Sequence, residues 1–250
     1  MSDHVRTERH AAILCLTLAR IEKKNALTGE MYTALTQAIR ASATDGTRAI
    51  VIAGGEGIFC AGNDIADFLK AGQASGFGDM PALDFIRLLA TNRVPLIAAV
   101  DGPAIGIGTT LILHCDLVYA SPRALFRMPF VDLGLVPEAG SSLLVPQRVG
   151  MAKASEFLLL GEAFDASEAL RLGLVNAVLA PDALIAHALE AAQKLAAKPA
   201  AALAATRRLM RGDPGVLLAR IEAEIEIFSA GMKTPQARQI FEAFLLKSKG

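Results

Sequence analysis

The chain has 250 residues, of which 25 are basic and 25 acidic, so its formal net charge at pH 7 is zero. Nucleic-acid-binding proteins usually carry a basic excess or stripe, and the balanced charge argues against that class. Mean hydropathy is positive at +0.41, but Pro, Asp, Gly, His or Arg interrupt every apolar run well before the roughly 20 residues that a membrane span needs. We therefore expect a soluble globular protein with neither a nucleic-acid nor a membrane partner.

We expect a cytoplasmic protein by default, because the sequence shows no targeting signal. The first ten residues are charged throughout and precede no secretory cleavage pattern. The chain has three cysteines, Cys15, Cys60 and Cys115, which lie far apart in apolar sequence. This spacing favours reduced core residues over a disulfide framework or a metal site.

The first half of the chain alternates predicted strands with predicted helices. Short apolar, β-branched segments are typical of buried strands, and amphipathic segments of helices. We predict strands at residues 11–18, 48–53, 95–100 and 116–120. Helices are predicted from an N-cap at Thr28 to Ala41 and over residues 81–91, and a glycine-rich loop at 70–78. The alternation predicts an α/β layer architecture with short connections.

The second half, from Ser141, is predicted to be almost entirely helical. Its one strand candidate is residues 174–179, and Pro199, Pro214 and Pro235 stand where helices are expected to begin. No low-complexity linker separates the halves, which indicates one domain with a helical extension. The Ala and Leu content of the extension exceeds what solvated helix faces need, so we expect an oligomer interface.

Two glycine-rich turns, residues 61–64 and 106–108, each precede a predicted helix. Glycine lets the backbone approach a ligand closely, and free N–H groups at a helix start favour negative charge. Two such turns side by side could form an oxyanion hole for a carbonyl oxygen that gains charge. The alternative is that both are ordinary strand-to-helix turns.

Glu138 is the candidate acid or base, because it lies in the apolar stretch LGLVPEAGSSLL. Burial there would raise its pKa into the range suited to proton transfer. The alternative is a carboxylate at a helix start that faces water and interacts with the helix dipole. His114, in the apolar run LILHCDL, is expected to be a hydrogen-bonded core residue, and Ser141 and Ser142 lack the pattern of a nucleophile elbow.

Five segments together resemble the crotonase, or enoyl-CoA hydratase/isomerase, superfamily: RIEKKNALT, IFCAGNDIADF, VDGPAIGIGTTLILHCDLVYA, LFRMPFVDLGLVPEAGSSLLVPQRVG and GEAFDASEALRLGLVNAV. The resemblance implies a spiral of repeated ββα units over residues 1–190 and a helical trimerisation region over residues 191–250 of the same domain. It further implies an acyl-CoA thioester substrate, no metal or redox cofactor, and a homotrimer or a dimer of trimers.

The resemblance also assigns roles to individual positions. The backbone N–H groups of Asn63 and Ile107 would form the oxyanion hole, with Gly106 beside the second donor. The turn of Lys24, Asn25, Ala26 and Leu27 would bind CoA, and Ala61, Gly62, Asp64 and Ile65 would line the thioester and pantetheine. Lys23 and Lys24 could contact CoA phosphates, although solvated surface lysines are an equally good interpretation.

The chain departs from the hydratases at two positions. A typical hydratase carries two catalytic glutamates, and those positions hold Thr110 and Phe130 here. Hydration must activate water and also protonate the α-carbon, which usually takes two carboxylates. Phe130 could exclude water from the site or simply pack in the core.

The motifs IFCAGNDIADF and LGLVPEAGSS resemble instead the peroxisomal-type Δ3,Δ2-enoyl-CoA isomerases, in which the base falls on the position of Glu138. Our leading hypothesis is therefore an isomerase of fatty acid β-oxidation. The alternatives are a hydratase for an unidentified enoyl-CoA and an acyl-CoA-binding subunit without turnover.

Overall fold

The computed structural model describes residues 3–55, 57–67, 69–70 and 80–247, so residues 71–78 of the predicted glycine-rich loop lie outside the described part. The strands are β1 (Val5–His10), β2 (Ile13–Leu18), β3 (Ala49–Gly54), β4 (Leu96–Val100), β5 (Pro103–Ile105), β6 (Leu117–Ala120), β7 (Leu125–Arg127), β8 (Phe164–Asp165) and β9 (Ala177–Val178). The helices are α1 (Gly29–Ser42), α2 (Pro81–Thr91), α3 (Ile107–Ile112), α4 (Ser141–Leu159), α5 (Ala166–Arg171), α6 (Pro181–Ala196), α7 (Ala200–Arg211), α8 (Pro214–Met232) and α9 (Pro235–Lys247).

The strands form two sheets. The larger has the order β1-β2-β3-β4-β6-β9, with β1 and β2 antiparallel and the other neighbours parallel. The smaller has the order β5-β7-β8. Helices connect the parallel strands β2 to β3, β3 to β4 and β4 to β6, as the long crossovers between parallel strands require. The architecture is thus the mixed α/β class that the sequence predicts.

The larger sheet is buried on both faces, which explains why its central strands are apolar at nearly every position. Alternate residues such as Val51 and Ile97 pack against α6, where Leu184 and Ala188 are buried. The other face, which includes Ile50, contributes to the main core with α1 and α2. The predicted N-cap of α1 is confirmed, because the Thr28 side chain accepts a hydrogen bond from the N–H of Met31.

Some sequence-based boundaries are wrong. The predicted strand 11–18 begins only at Ile13, because residues 11 and 12 form the turn of a hairpin with β1. Strand β1 has no apolar pattern that would predict it, because this charged edge strand is exposed at five of six positions. The two- and three-residue strands β5, β7 and β8 are too short to show a period, and predicted strand 174–179 shrinks to β9.

The C-terminal part is helical, as predicted, and α6 runs across the predicted boundary at residue 190. Two arginines connect α7 to the rest of the fold: Arg207 and Arg211 form ion pairs with Asp116 at 2.7 and 2.9 Å. Arg211 also donates to the carbonyl oxygen of His114. None of the helices in the described part is long and apolar enough to span a bilayer.

Candidate active site

The two predicted glycine turns lie side by side. The N–H of Cys60 donates to the Pro103 carbonyl at 2.9 Å, and the N–H of Ile105 donates back to the Cys60 carbonyl at 2.8 Å. Gly108 enables this close approach, because a Cβ atom there would lie 2.7 Å from the Cys60 carbonyl oxygen. The two turns are therefore held together by backbone pairing.

The predicted oxyanion-hole donors are both available for a ligand. Leu27 pairs with this segment through the Gly62 carbonyl and the Asp64 N–H, which leaves the N–H of Asn63 without a bond in the described part of the chain. Ile107 is the first residue of α3, and its N–H likewise donates to no other described group. Such unpaired donors in adjacent turns suit the stabilisation of a thioester oxyanion.

The predicted CoA-binding turn packs directly against the first glycine turn. The N–H of Ala61 donates to the Lys24 carbonyl at 3.0 Å, and the Lys24 side chain is exposed. Asn25 is fully buried: its Oδ1 accepts from the Arg20 N–H and its Nδ2 donates to the Ile58 carbonyl, both at 2.8 Å. The Asn25 side chain thus fixes the turn, and its backbone N–H is also bonded, to the Arg20 carbonyl at 2.9 Å.

The remaining predicted residues of this region differ in exposure. Asp64 forms an ion pair with Arg20 at 2.8 Å, which ties the turn at residue 64 to the start of the CoA-binding turn. Ala26, Ala61 and Ile65 are half-buried, whereas Leu27 and Gly62 are buried. The residues assigned to CoA and the thioester are therefore contiguous in space.

Glu138 is 7% exposed and precedes a turn that opens α4. Its Oε1 accepts a hydrogen bond from Thr110 Oγ1 at 2.5 Å. Thr110 lies on α3, the helix that begins with Ile107, so α3 brings the base and one oxyanion donor into a single site. Phe130, at the other departure from the hydratases, is a core residue and does not line the cavity described below.

Burial raises the pKa of Glu138 from 4.5 to about 8. The hydrogen bond from Thr110 opposes this effect, and the nearby carboxylate of Glu224 adds to it. A carboxyl group with a pKa near neutrality can both take up and return a proton. The interpretation of Glu138 as a water-facing helix-start residue is therefore wrong.

The turn after Glu138 is held by several partners. His114 Nε2 lies 2.8 Å from the Ala139 carbonyl oxygen, and burial lowers the His114 pKa to about 4, so the ring is neutral and donates this bond. Ser141 Oγ donates to the Glu138 carbonyl at 2.6 Å. These contacts confirm His114 as a hydrogen-bonded core residue.

A narrow cavity of about 20 Å³ lies between Asn63 and Glu138. Tyr32 also lines it and donates a hydrogen bond from its hydroxyl to Asn63 Oδ1. The remaining lining residues are mostly apolar: Met80, Ala82, Leu83, Ile86, Ile225, Phe228 and Ser229. The cavity therefore lies beside the candidate base and one candidate oxyanion donor, and its other lining residues are mostly apolar.

Sequence reasoning missed three residues of this site. From the sequence, Tyr32 is expected only to lie in a helix. Thr110 stands out only because hydratases have a glutamate at that position, and Glu224 has no expected role. Glu224 lies 86 positions after Glu138 in a helix of mixed polarity, and no local pattern distinguishes it from its exposed neighbours. Only Tyr32 carried a signal, because a tyrosine on the buried face of a helix needs a hydrogen-bond partner.

Comparison with known proteins gives consistent matches. The family model described as enoyl-CoA hydratase/isomerase matches residues 8–250. The 2,3-dehydroadipyl-CoA hydratase of Escherichia coli K12 is 35% identical over 241 residues, covering 96% of this chain and 94% of that protein. Enoyl-CoA delta isomerase 2 of Rattus norvegicus is 40% identical over 167 residues, covering 65% of this chain and 43% of that protein. The structure of OdaA from Pseudomonas aeruginosa has a TM-score of 0.92 and 42% identity, covering 97% of this chain and 99% of that chain.

Proposed function

Because the chain belongs to the enoyl-CoA hydratase/isomerase family, we propose that it is a Δ3,Δ2-enoyl-CoA isomerase. The family match and the superposition on OdaA confirm the crotonase-type fold and an acyl-CoA-processing enzyme. Relatives named hydratase and relatives named isomerase are both similar to this chain, so the choice between the two reactions rests on the site.

The proposed reaction is a proton shift by one base. The carboxylate of Glu138 removes a proton from C2 of a 3-enoyl thioester, and the electron pair of the broken C–H bond forms a dienolate. The N–H groups of Asn63 and Ile107 stabilise the thioester oxyanion. Protonated Glu138 then returns the proton to C4, so the double bond moves from C3–C4 to C2–C3 and the thioester becomes conjugated.

The observation that carries this proposal is the single carboxylate of the cavity. Glu138 is the one Asp or Glu among the described residues that line it, and its pKa is raised to about 8 by burial. A hydratase needs one group to activate water and a second to protonate the α-carbon. Thr110 and Phe130, which replace the glutamates expected of a hydratase, cannot do either at neutral pH.

The proton shift uses only groups of the protein and the substrate, so we propose no metal or redox cofactor, with coenzyme A entering as part of the substrate. We propose that Lys24 contacts its phosphates, which is supported by the exposure of this side chain on the turn that packs on Ala61. We also propose a homotrimer or a dimer of trimers. Large exposed apolar side chains, including Met151, Leu159 and Leu160, support an assembly that covers them.

The cavity also favours an apolar acyl group. None of the described lining residues is a Lys, Arg or His that could pair with a second carboxylate on the acyl chain. An acidic acyl terminus would instead meet Leu83, Ile86 and Ile225, at the cost of an unpaired buried charge. We therefore propose a hydrocarbon enoyl chain, in contrast to the dicarboxylic acyl group in the name of the Escherichia coli relative.

A paired assay tests the proposal. A 3-enoyl-CoA and a 2-enoyl-CoA are offered separately to the purified protein, and the absorbance of the conjugated enoyl thioester is followed. We expect absorbance to rise with the 3-enoyl substrate and to stay constant with the 2-enoyl substrate. Loss of absorbance from the 2-enoyl substrate would instead identify a hydratase, and no change with either would favour a binding subunit.

The variant E138Q tests the base. It should abolish the absorbance rise while it retains binding of the CoA ester, because the amide keeps the size of the carboxyl group but cannot accept the proton. The matched control is E226Q, which changes an exposed glutamate on α8 and should leave turnover unchanged. Full turnover by E138Q would remove Glu138 from the mechanism.

A further inference from the structure

Glu224 is a buried carboxylate on a helix whose other acids are exposed. Its residue is 5% exposed, whereas Glu222 and Glu226 on the same helix α8 face solvent. Its two oxygens accept hydrogen bonds from the backbone N–H groups of Gly140 at 2.6 Å and Ser142 at 3.0 Å. Burial of a carboxylate is unfavourable unless it is paired in this way.

These two bonds cap helix α4 from a distance. Gly140 is the N-cap residue of α4 and has no side chain with which to cap it. Backbone N–H groups at a helix start require acceptors, and an acidic group there is favoured by the helix dipole. Glu224 supplies the missing acceptor from α8, 84 residues later in the chain.

The capped segment is the turn that carries Glu138. Ala139 and Gly140 have φ values of 57° and 72°, so two consecutive residues adopt the left-handed conformation. For a residue with a Cβ, such as Ala139, this conformation is unfavourable and persists only where surrounding contacts impose it. Together with His114 and Ser141, Glu224 is one of the groups that impose it.

The charges around Glu224 are few. Arg220, one turn earlier on α8, donates to Ser142 Oγ at 3.3 Å, and the Glu138 carboxyl is near enough for Glu224 to raise its pKa. Glu222 is turned away and forms an ion pair with Arg87 of α2 at 2.6 Å. Burial raises the pKa of Glu224, whereas its bonds from Ser142 and Gly140 and the charge of Arg220 favour the ionised form.

We propose that Glu224 is a positioning residue for Glu138, which it holds in reactive geometry by capping α4 and enforcing the strained turn at residues 139 and 140. The inference rests on the proposed function to the extent that Glu138 is the base. Glu224 does not itself touch the substrate in this role. Its ionised carboxylate also opposes the ionisation of Glu138, which makes the effect visible in a titration.

The test compares E224Q with the control E226Q. Glutamine keeps the volume of the side chain, but its NH2 group cannot accept the second backbone N–H. We expect kcat of E224Q to fall on the order of tenfold, as for loss of a helix cap, with KM within about twofold because the CoA-binding turns are untouched. The acidic limb of the pH–rate profile should move to lower pH, because one negative charge beside Glu138 is lost.

A second readout needs no turnover. The side-chain carboxyl carbon of Glu138 is observed by 13C NMR in protein with labelled glutamate, assigned by its absence in E138Q. Its titration midpoint should fall in E224Q and stay unchanged in E226Q. An unchanged midpoint with wild-type kcat in E224Q would overturn the proposal. If no variant has isomerase activity, the proposed function fails, whereas the titration still decides the role of Glu224.

A shorter acid covers the case in which E224Q does not fold. E224D keeps the negative charge but loses the reach needed to accept both N–H groups. We expect its kcat to fall as in E224Q while the Glu138 midpoint stays near that of the wild type. Wild-type kcat in E224D would show that the two-point cap is not needed and would overturn the proposal.

Discussion

Thr110 donates a hydrogen bond from Oγ1 to Oε1 of Glu138 at 2.5 Å, although 28 residues separate them in the chain. The resemblance to the hydratases places Thr110 where they carry a glutamate, so a hydrogen-bond donor to Glu138 stands here in place of a second carboxylate. The bond orients Glu138, which lines the cavity, through one oxygen and leaves Oε2 without a hydrogen bond in the described part. The site is thereby arranged around one base.

Replacing Thr110 should make Glu138 a weaker acid. The wild-type pH–rate profile should rise through about pH 8, since the base must be ionised to accept the C2 proton. In T110V the ionised carboxyl loses a donor, and we expect the midpoint to rise by about one to two pH units. Measurement of kcat/KM between pH 6 and pH 10 checks this shift.

The control for that variant is T36V. Thr36 is also a buried helix residue, but its hydroxyl has no hydrogen-bond partner in the described part of the chain. Its replacement by valine should leave the midpoint near pH 8. A common midpoint for the wild type and T110V would contradict the role given to Thr110.

The raised pKa of Glu138 predicts a stability change with pH. Between the ordinary value of 4.5 and about 8, the folded state binds a proton that the unfolded state releases. The free energy of unfolding therefore falls as pH rises through this window. The amide of E138Q stays neutral at both pH values, so no buried charge forms at high pH. Its Tm should be about 5 °C or more above that of the wild type at pH 9, but close to it at pH 4.5. A Tm difference that does not vary with pH would contradict the raised pKa.

Tyr32 should contribute to turnover through Asn63. Its hydroxyl donates a hydrogen bond to the Asn63 side chain and so restrains a residue that lines the cavity and carries a candidate oxyanion donor. Loss of a hydrogen bond worth about 1 kcal/mol predicts a roughly fivefold lower kcat for Y32F. The control is Y119F, since Tyr119 is the other tyrosine of the chain and packs on His187, away from the cavity. Steady-state kinetics of both variants decide between a positioning and a packing role.

Gly108 should tolerate no side chain. A Cβ atom there would lie 2.7 Å from the carbonyl oxygen and 2.9 Å from the Cβ of Cys60, so G108A must push the two turns apart. We expect a loss of about 1–3 kcal/mol in the free energy of unfolding and a larger loss of activity than of CoA binding. G29A is the control, because its Cβ would make only ordinary contacts at 3.6 Å or more. Urea unfolding and kinetics measure both effects.

Local patterns were sufficient for much of the fold. Helix α2 has the predicted bounds, Thr28 caps α1, and the central strands are recognisable from their apolar β-branched runs. Edge strand β1 and the short strands were missed, because their pairing partners, and not their own side chains, define them. The glycines indicate turns for a local reason, because Gly62 and Gly106 have positive φ values and Gly108 leaves room for the Cys60 carbonyl.

Residue type and local spacing are enough to indicate the candidate base Glu138 and the two glycine turns, whereas the family and the individual donors Asn63 and Ile107 follow from the resemblance of the motifs. Only the tertiary structure decided that Thr110 bonds Glu138, that Tyr32 holds Asn63 and that Glu224 caps α4. These contacts join residues 28 to 84 positions apart, and no local pattern encodes them. The raised pKa of Glu138 likewise depends on the tertiary structure, since it is set by burial and by neighbours that only the fold brings together.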